Sequence, residues 1–205
     1  ITEYTQICML TTEAAIYTAL KERGYQADAT AGLSLGEYGA LIASGTMTMK
    51  DAFSVVRKRG IYMQEAVPTG GAMTAVLGLD PQVIEDICKK TADETNSVVS
   101  VANYNCPGQI VITGELTALE KAGAALKEAG AKRVLPLKVS GPFHSSLMEP
   151  AASKLKQELL KVTISDLQIP YISNVTAQKV TDKQEIAGLL CEGIHSSVHW
   201  EQSVR

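Results

Sequence analysis

Apolar positions recur at helical spacing between Thr12 and Arg23, where Ala15, Ile16, Ala19 and Leu20 make one stripe. Thr11 or Thr12 can cap its start, and Gly24 can end it in a left-handed turn. Residues 27–33 form a short, partly apolar run that reads as a buried strand. A second helical pattern over 35–44 stops at Gly45. Thr48-Met49-Lys50-Asp51 resembles a capping box with Asp in place of Glu, which predicts a long helix over 49–66. Pro68-Thr69-Gly70-Gly71 breaks the chain after it.

The rhythm then changes. Residues 72–78 read as a strand, 81–92 as a helix with proline at its start, and 98–102 as a strand. Asn103 to Gly108 reads as a turn, 109–113 as a strand, 116–129 as a helix ended by Gly130, and 133–137 as a last strand. The order is βαββαβ, the pattern of ferredoxin-like units. Residues 70–138 are therefore expected to be a small inserted subdomain. Segments 1–69 and 139–205 are expected to form one larger α/β subdomain, with a loop at 139–146, a helix over 150–161 and a strand near 170–173.

Composition narrows the function classes. The 205 residues carry 19 basic and 22 acidic side chains, a net charge of −3, which argues against a nucleic-acid partner. No apolar run approaches the ~18 residues of a membrane span. Cys8, Cys88, Cys106 and Cys191 are far apart, and the three histidines all lie late in the chain, so no metal site is expected. A reducing cytoplasm is the simplest setting. The chain opens at Ile1 without an initiator methionine and stops in mid-pattern at Arg205, so it is expected to be a piece of a longer protein.

The candidate chemistry starts at Gly32-Leu33-Ser34-Leu35-Gly36-Glu37-Tyr38. Gly-x-Ser-x-Gly between a strand and a helix is a nucleophile elbow: the serine sits on a strained corner and its hydroxyl projects from the sheet. The next backbone amide, Leu35, can then donate to a developing oxyanion at the positive end of the helix. A plain helix cap at Ser34 is the alternative. A serine needs a base. His144, in the loop Gly141-Pro142-Phe143-His144-Ser145-Ser146, is favoured over His195 and His199, which sit in a polar stretch beside Trp200 and read as surface residues.

Four motifs occur in order: Gly32 to Tyr38; Arg59-Gly60-Ile61-Tyr62-Met63-Gln64-Glu65-Ala66; Asn103-Tyr104-Asn105-Cys106-Pro107-Gly108-Gln109; and Pro142-Phe143-His144-Ser145-Ser146-Leu147-Met148. Together they resemble the malonyl-CoA:acyl carrier protein transacylases, the acyltransferase family of fatty acid and polyketide synthesis, over essentially the whole chain. That resemblance implies a hydrolase-like α/β large subdomain with a ferredoxin-like insertion. It implies malonyl transfer from malonyl-CoA to the phosphopantetheine thiol of holo-acyl carrier protein, through an ester on Ser34 and with no metal or cofactor.

The resemblance also assigns roles. His144 is the base, oriented by a backbone carbonyl near Gly193 instead of a carboxylate. Arg59 grips the free carboxylate of malonate, a task suited to a planar guanidinium. Asn105 lines the cleft, and Phe143 favours malonyl over methylmalonyl by bulk. Acylation is expected to fail as pH drops through the His144 pKa, between pH 8 and 5. Two departures stand out. Leu33 occupies a position that is commonly histidine in the family, and the family's opening Pro-Gly-Gln-Gly segment, source of a second oxyanion donor, does not occur in this chain. Rival readings are a serine thioesterase or esterase, a polyketide synthase acyltransferase domain, and a non-enzymatic carrier-binding domain.

Overall fold

The computed structural model describes residues 1–139 and 141–205. Its first helix, α1 (Thr2–Glu22), starts well before the Thr12 expected from the sequence. Its buried face is Gln6, Leu10 and Ala14, spaced four residues apart. The stripe expected to be buried is on the wrong side: Ala15, Ile16, Ala19 and Leu20 are all exposed. Starting the pattern at Thr12 hid the turn that sets the phase, because α1 is held through its first half against α3 (Met49–Ala66). Thr11 and Thr12 lie mid-helix, where their hydroxyls donate back to the carbonyls of Ile7 and Cys8. Helices α1 and α3 approach so closely that a Cβ at Gly60 would lie 3.0 Å from the Glu3 Cα.

Strand β1 is only Thr30–Ala31. The run over 27–33 is mostly exposed, contrary to the buried strand expected. Among the described residues the sheet has the order β1-β6-β7, with β6 (Tyr171–Ile172) between β1 and β7 (Lys179–Val180). β1 and β6 run parallel, Thr30 opposite Tyr171. Helix α2 (Gly36–Ala43) follows β1 after the Gly32–Leu35 corner. Helix α3 has the expected bounds and the expected cap: the Asp51 N–H donates to the Thr48 hydroxyl at 3.1 Å. Its buried stripe, Ala52, Val55, Val56, Arg59, Gly60 and Met63, carries one charged residue.

The middle of the chain folds as β2 (Gly71–Leu77), α4 (Pro81–Thr95), β3 (Val99–Cys106), β4 (Gln109–Glu115), α5 (Leu116–Glu128) and β5 (Arg133–Pro136). Its strands form an antiparallel sheet of order β3-β4-β2-β5. One face packs α4 and α5 through Val76, Ile84, Val99, Val101, Ile112, Leu119 and Leu126. The other carries Met73, Ala75, Ala102 and Val111, with Phe143 against them.

Strand β3 is longer than the sequence suggested. Asn103 to Cys106, expected in a turn, is strand, because it pairs with β4 down to Gln109. A register shift between Val101 and Asn103 matters more than the length. Without it, Asn103 and Asn105 would share the helix-facing side with Val99 and Val101. The extra residue flips the alternation, so Tyr104 takes the helix side and the two asparagines face the other way.

The last third holds a 3₁₀ turn at Ser146–Met148, α6 (Glu149–Leu159), α7 (Lys183–Glu192) and α8 (Trp200–Val204). The sequence reading had no counterpart for β7, α7 or α8. Leu10, Tyr38, Leu41, Val55, Met148, Leu155, Tyr171 and Ile186 make the core that joins this part to α1–α3. The fold is mixed α/β. Among the described residues, no helix is long and apolar enough to cross a membrane, and no cluster of His, Cys, Asp or Glu could hold a metal ion.

Candidate active site

Ser34 lies at the corner between β1 and α2 with φ +54, a backbone region rarely used outside glycine. The two flanking glycines are not equivalent. A Cβ on Gly32 would sit 2.0 Å from the Gly36 carbonyl carbon and oxygen, whereas one on Gly36 would meet nothing within 4 Å. Gly32→Ala is therefore expected to break the corner, at a cost of at least the ~3 kcal/mol at the top of the ordinary mutational range, while Gly36→Ala leaves the space unstrained. Urea melts of the two variants check this, and equal midpoints would show that the corner is not close-packed.

The corner is held from a distant part of the chain. The Ser34 N–H donates to Asn174 Oδ1, and Asn174 Nδ2 donates to the Gly32 carbonyl at 2.7 Å. Just beyond Ser34, the Leu35 N–H heads α2 and has no acceptor among the described residues.

His144 follows β5 and Pro142-Phe143, and its φ is +61. Its Nε2 is 2.9 Å from Ser34 Oγ, and its Nδ1 is 2.9 Å from the Gly193 carbonyl oxygen. A carbonyl only accepts, so the proton is on Nδ1 and Nε2 is free to accept from the serine hydroxyl. Burial, reinforced by the Arg59 charge, pulls the His144 pKa down to about 4, although the Gly193 carbonyl works the other way.

Arg59, 4% exposed, reaches the same point from α3. Its Nη2 donates to Ser34 Oγ at 3.0 Å and its Nη1 to Gln6 Oε1 at 2.6 Å. Burial lowers its pKa, while Tyr38 and Glu37 favour its charge. Arg57 bonds the Glu3 carbonyl elsewhere on the helix. Glu37 itself is buried near the head of α2. Desolvation raises its pKa to about 7, against the Asn174 N–H donating to it and the Arg59 charge.

A cavity of about 340 Å³ brings Ser34, Leu35, Arg59, Asn105, Phe143 and His144 together, all six residues singled out in the sequence. Gln6, Met63, Met73 and Asn103 also line it. Asn105 reaches it from β3, not from a turn, and its Oδ1 is buried with no hydrogen-bond partner among the described residues. Phe143 wedges between the two cores. His195 and His199 lie outside the cavity, both half-buried, and the His199 ring stacks on Tyr104 at 5.1 Å, 8° from parallel.

Sequence reasoning missed Gln6, Glu37 and Asn174. Gln6 had a signal, a polar side chain in phase with Leu10 and Ala14. Asn174 had none, because only the β1–β6 pairing brings it under the corner.

The family model for the acyl transferase domain matches residues 1–205. The malonyl CoA-acyl carrier protein transacylase of Bacillus subtilis is 50% identical over 200 residues, covering 97% of this chain and 63% of the relative. The crystal structure of MCAT from Streptococcus pneumoniae superposes with a TM-score of 0.94 at 50% identity, covering 99% of this chain and 66% of that one. A malonyl-transacylase in complex with a type II PKS acyl-carrier protein gives a TM-score of 0.93 at 43% identity, covering 97% and 64%. The chain thus spans just under two thirds of the length of these relatives. With every residue matched by the family model, the chain belongs to the acyl transferase domain family.

Proposed function

We propose that this chain is part of an [acyl-carrier-protein] S-malonyltransferase, which moves malonyl from malonyl-CoA to the phosphopantetheine thiol of holo-acyl carrier protein. One observation carries the reading: a serine hydroxyl, a neutral imidazole nitrogen and a guanidinium meet within 3.0 Å in one cavity. In the first half-reaction Ser34 Oγ attacks the thioester carbonyl and its proton moves to His144 Nε2. The oxyanion points at the Leu35 N–H, a donor whose loss in such sites costs ~2.7–4 kcal/mol of barrier. The C–S bond breaks, and His144 returns the proton to the CoA sulfur. In the second half the carrier thiol gives its proton to His144 and attacks the ester. The C–O bond breaks, and Ser34 is reprotonated.

Arg59 binds the malonyl carboxylate. Its Nη1 is held by Gln6, and Nη2, already at the nucleophile, meets the acid two carbons beyond the reacting carbonyl. A thioesterase has no use for this buried cation. Asn105 offers its unpartnered carbonyl oxygen to a substrate N–H, and Phe143 narrows the acyl end, a filter worth ~1–3 kcal/mol against an added methyl. The division into a hydrolase-like body, 1–69 with 139–205, and a ferredoxin-like insertion, 70–138, is supported by the two separate sheets and the order β3-β4-β2-β5. The four free cysteines suit a cytoplasmic setting.

Intact mass after mixing with malonyl-CoA tests the reading: one malonyl group on Ser34 supports it, and release of free malonate without a stable adduct favours the thioesterase. The pH dependence has to be revised from the sequence expectation. The base works only while neutral, so acylation is lost as pH falls through the folded His144 value of about 4, not between pH 8 and 5. Acylation rates are expected to be level down to about pH 5, and a midpoint near 6.5 would show that the imidazole is neither buried nor repelled by Arg59.

A further inference from the structure

We propose that Asn174 is a positioning residue for the nucleophile, a role that rests on the reading of Ser34 as the acyl acceptor. It lies just past β6, and it is 1% exposed. Both ends of its side-chain amide are used on the corner. Oδ1 accepts from the Ser34 N–H and Nδ2 donates to the Gly32 carbonyl, so one planar group spans Leu33 and ties down the backbone that enters the serine.

The backbone of Asn174 is fixed as firmly as its side chain. Its N–H donates to Glu37 Oε1 at 2.9 Å, and its carbonyl accepts from the His199 N–H at 2.9 Å. These anchors reach both halves of the proposed chemistry. Glu37 stands near the head of α2 and also borders Gly193, where a Cβ would come within 3.5 Å of Glu37 Oε2. The Gly193 carbonyl in turn holds His144 Nδ1.

The physical need is plain. A non-glycine residue at φ +54 persists only when its surroundings over-determine it. The Leu33–Ser34 peptide is the hinge of the corner. Asn174 fixes its N–H away from the cavity, which leaves Ser34 Oγ facing His144 and the Leu35 N–H facing the cavity. Without the amide, Ser34 is free to rotate toward ordinary backbone angles. Nucleophile and oxyanion donor then lose register, while the carboxylate grip of Arg59, on α3, is untouched.

The test measures labelling of Ser34 by two reagents: malonyl-CoA, and phenylmethylsulfonyl fluoride, which forms an Oγ–S bond and releases fluoride. For Asn174→Ala the maximal rate is expected to fall about 10²-fold with both reagents. Half-saturating malonyl-CoA should stay unchanged. Asn174→Asp keeps an acceptor for the Ser34 N–H but loses the donor to Gly32, so its rate should fall about tenfold, between wild type and the alanine variant. Rates equal to wild type in both variants would overturn the proposal. So would a rise in half-saturating malonyl-CoA that accounts for the whole loss, since that is a general disturbance of the pocket. If the alanine variant does not fold, Asn174→Asp decides: slower labelling at an unchanged melting temperature supports the role, and a wild-type rate overturns it. A wild-type chain labelled at Ser34 by the sulfonyl fluoride but not by malonyl-CoA would refute malonyl transfer and still leave the Asn174 comparison readable.

Discussion

Ser34→Ala is expected to end acylation by malonyl-CoA altogether, with no malonyl mass on the chain at any incubation time. The magnitude follows from the chemistry. Among the described residues Ser34 Oγ is the hydroxyl hydrogen-bonded to His144 Nε2, and removing the nucleophile of such a unit costs on the order of 10⁶ in turnover. The fold should survive. The substituted residue would keep the positive φ and the Asn174 contact to its N–H, and Arg59 would keep Gln6 as a partner. What is lost is the acceptor for Arg59 Nη2 and the donor to His144 Nε2. A thermal melt close to wild type together with no label is the expected pair of results. Labelling of Ser34→Ala at the wild-type rate would place the acyl group on another residue and remove the corner from the mechanism.

That the six candidate residues share a cavity while several elements were misread has a physical explanation. Chemistry at this site is concentrated in short local signals. Gly-x-Ser-x-Gly encodes a corner because Gly32 has no room for a Cβ. Thr48 and Asp51 fix the start of α3, and with it the direction in which Arg59 points eleven residues on. Those signals depend on a few neighbouring residues, so they can be read from the chain alone. The buried face of α1 cannot be read that way, because apolar Ile16 and Leu20 fit the period as well as Gln6, Leu10 and Ala14 do. Contact with α3 decides between them. The bulge in β3 is similar: nothing in Val101-Ala102-Asn103 announces an extra residue, yet it is what turns Asn103 and Asn105 toward the cavity. Asn174 is the extreme case, linked to Ser34 across most of the chain by a two-residue parallel pairing.

Arg59→Ala should separate the two acyl donors. Malonyl transfer is expected to fall by about 10³ or more, since a site built to bind a polar group discriminates by up to 10⁴–10⁵ against an analogue lacking it. Acetyl transfer from acetyl-CoA, which offers no carboxylate, should fall by no more than about tenfold, the cost of losing one hydrogen bond at Ser34 Oγ. A second effect comes through His144. The Arg59 charge is one of the two causes that depress its pKa, so its removal lets that pKa rise from about 4 toward the usual value. The acid limb of the variant's residual activity should therefore move to higher pH, for both donors alike. Arg59→Lys keeps the charge and so keeps the acid limb low, but it lacks the planar fork and should recover only part of the malonyl rate. The two readouts are independent: the donor ratio reports the carboxylate contact, and the pH midpoint reports the distance from cation to imidazole. An equal loss with malonyl and acetyl would mean that the guanidinium at 3.0 Å from Ser34 Oγ serves the serine and not the substrate acid.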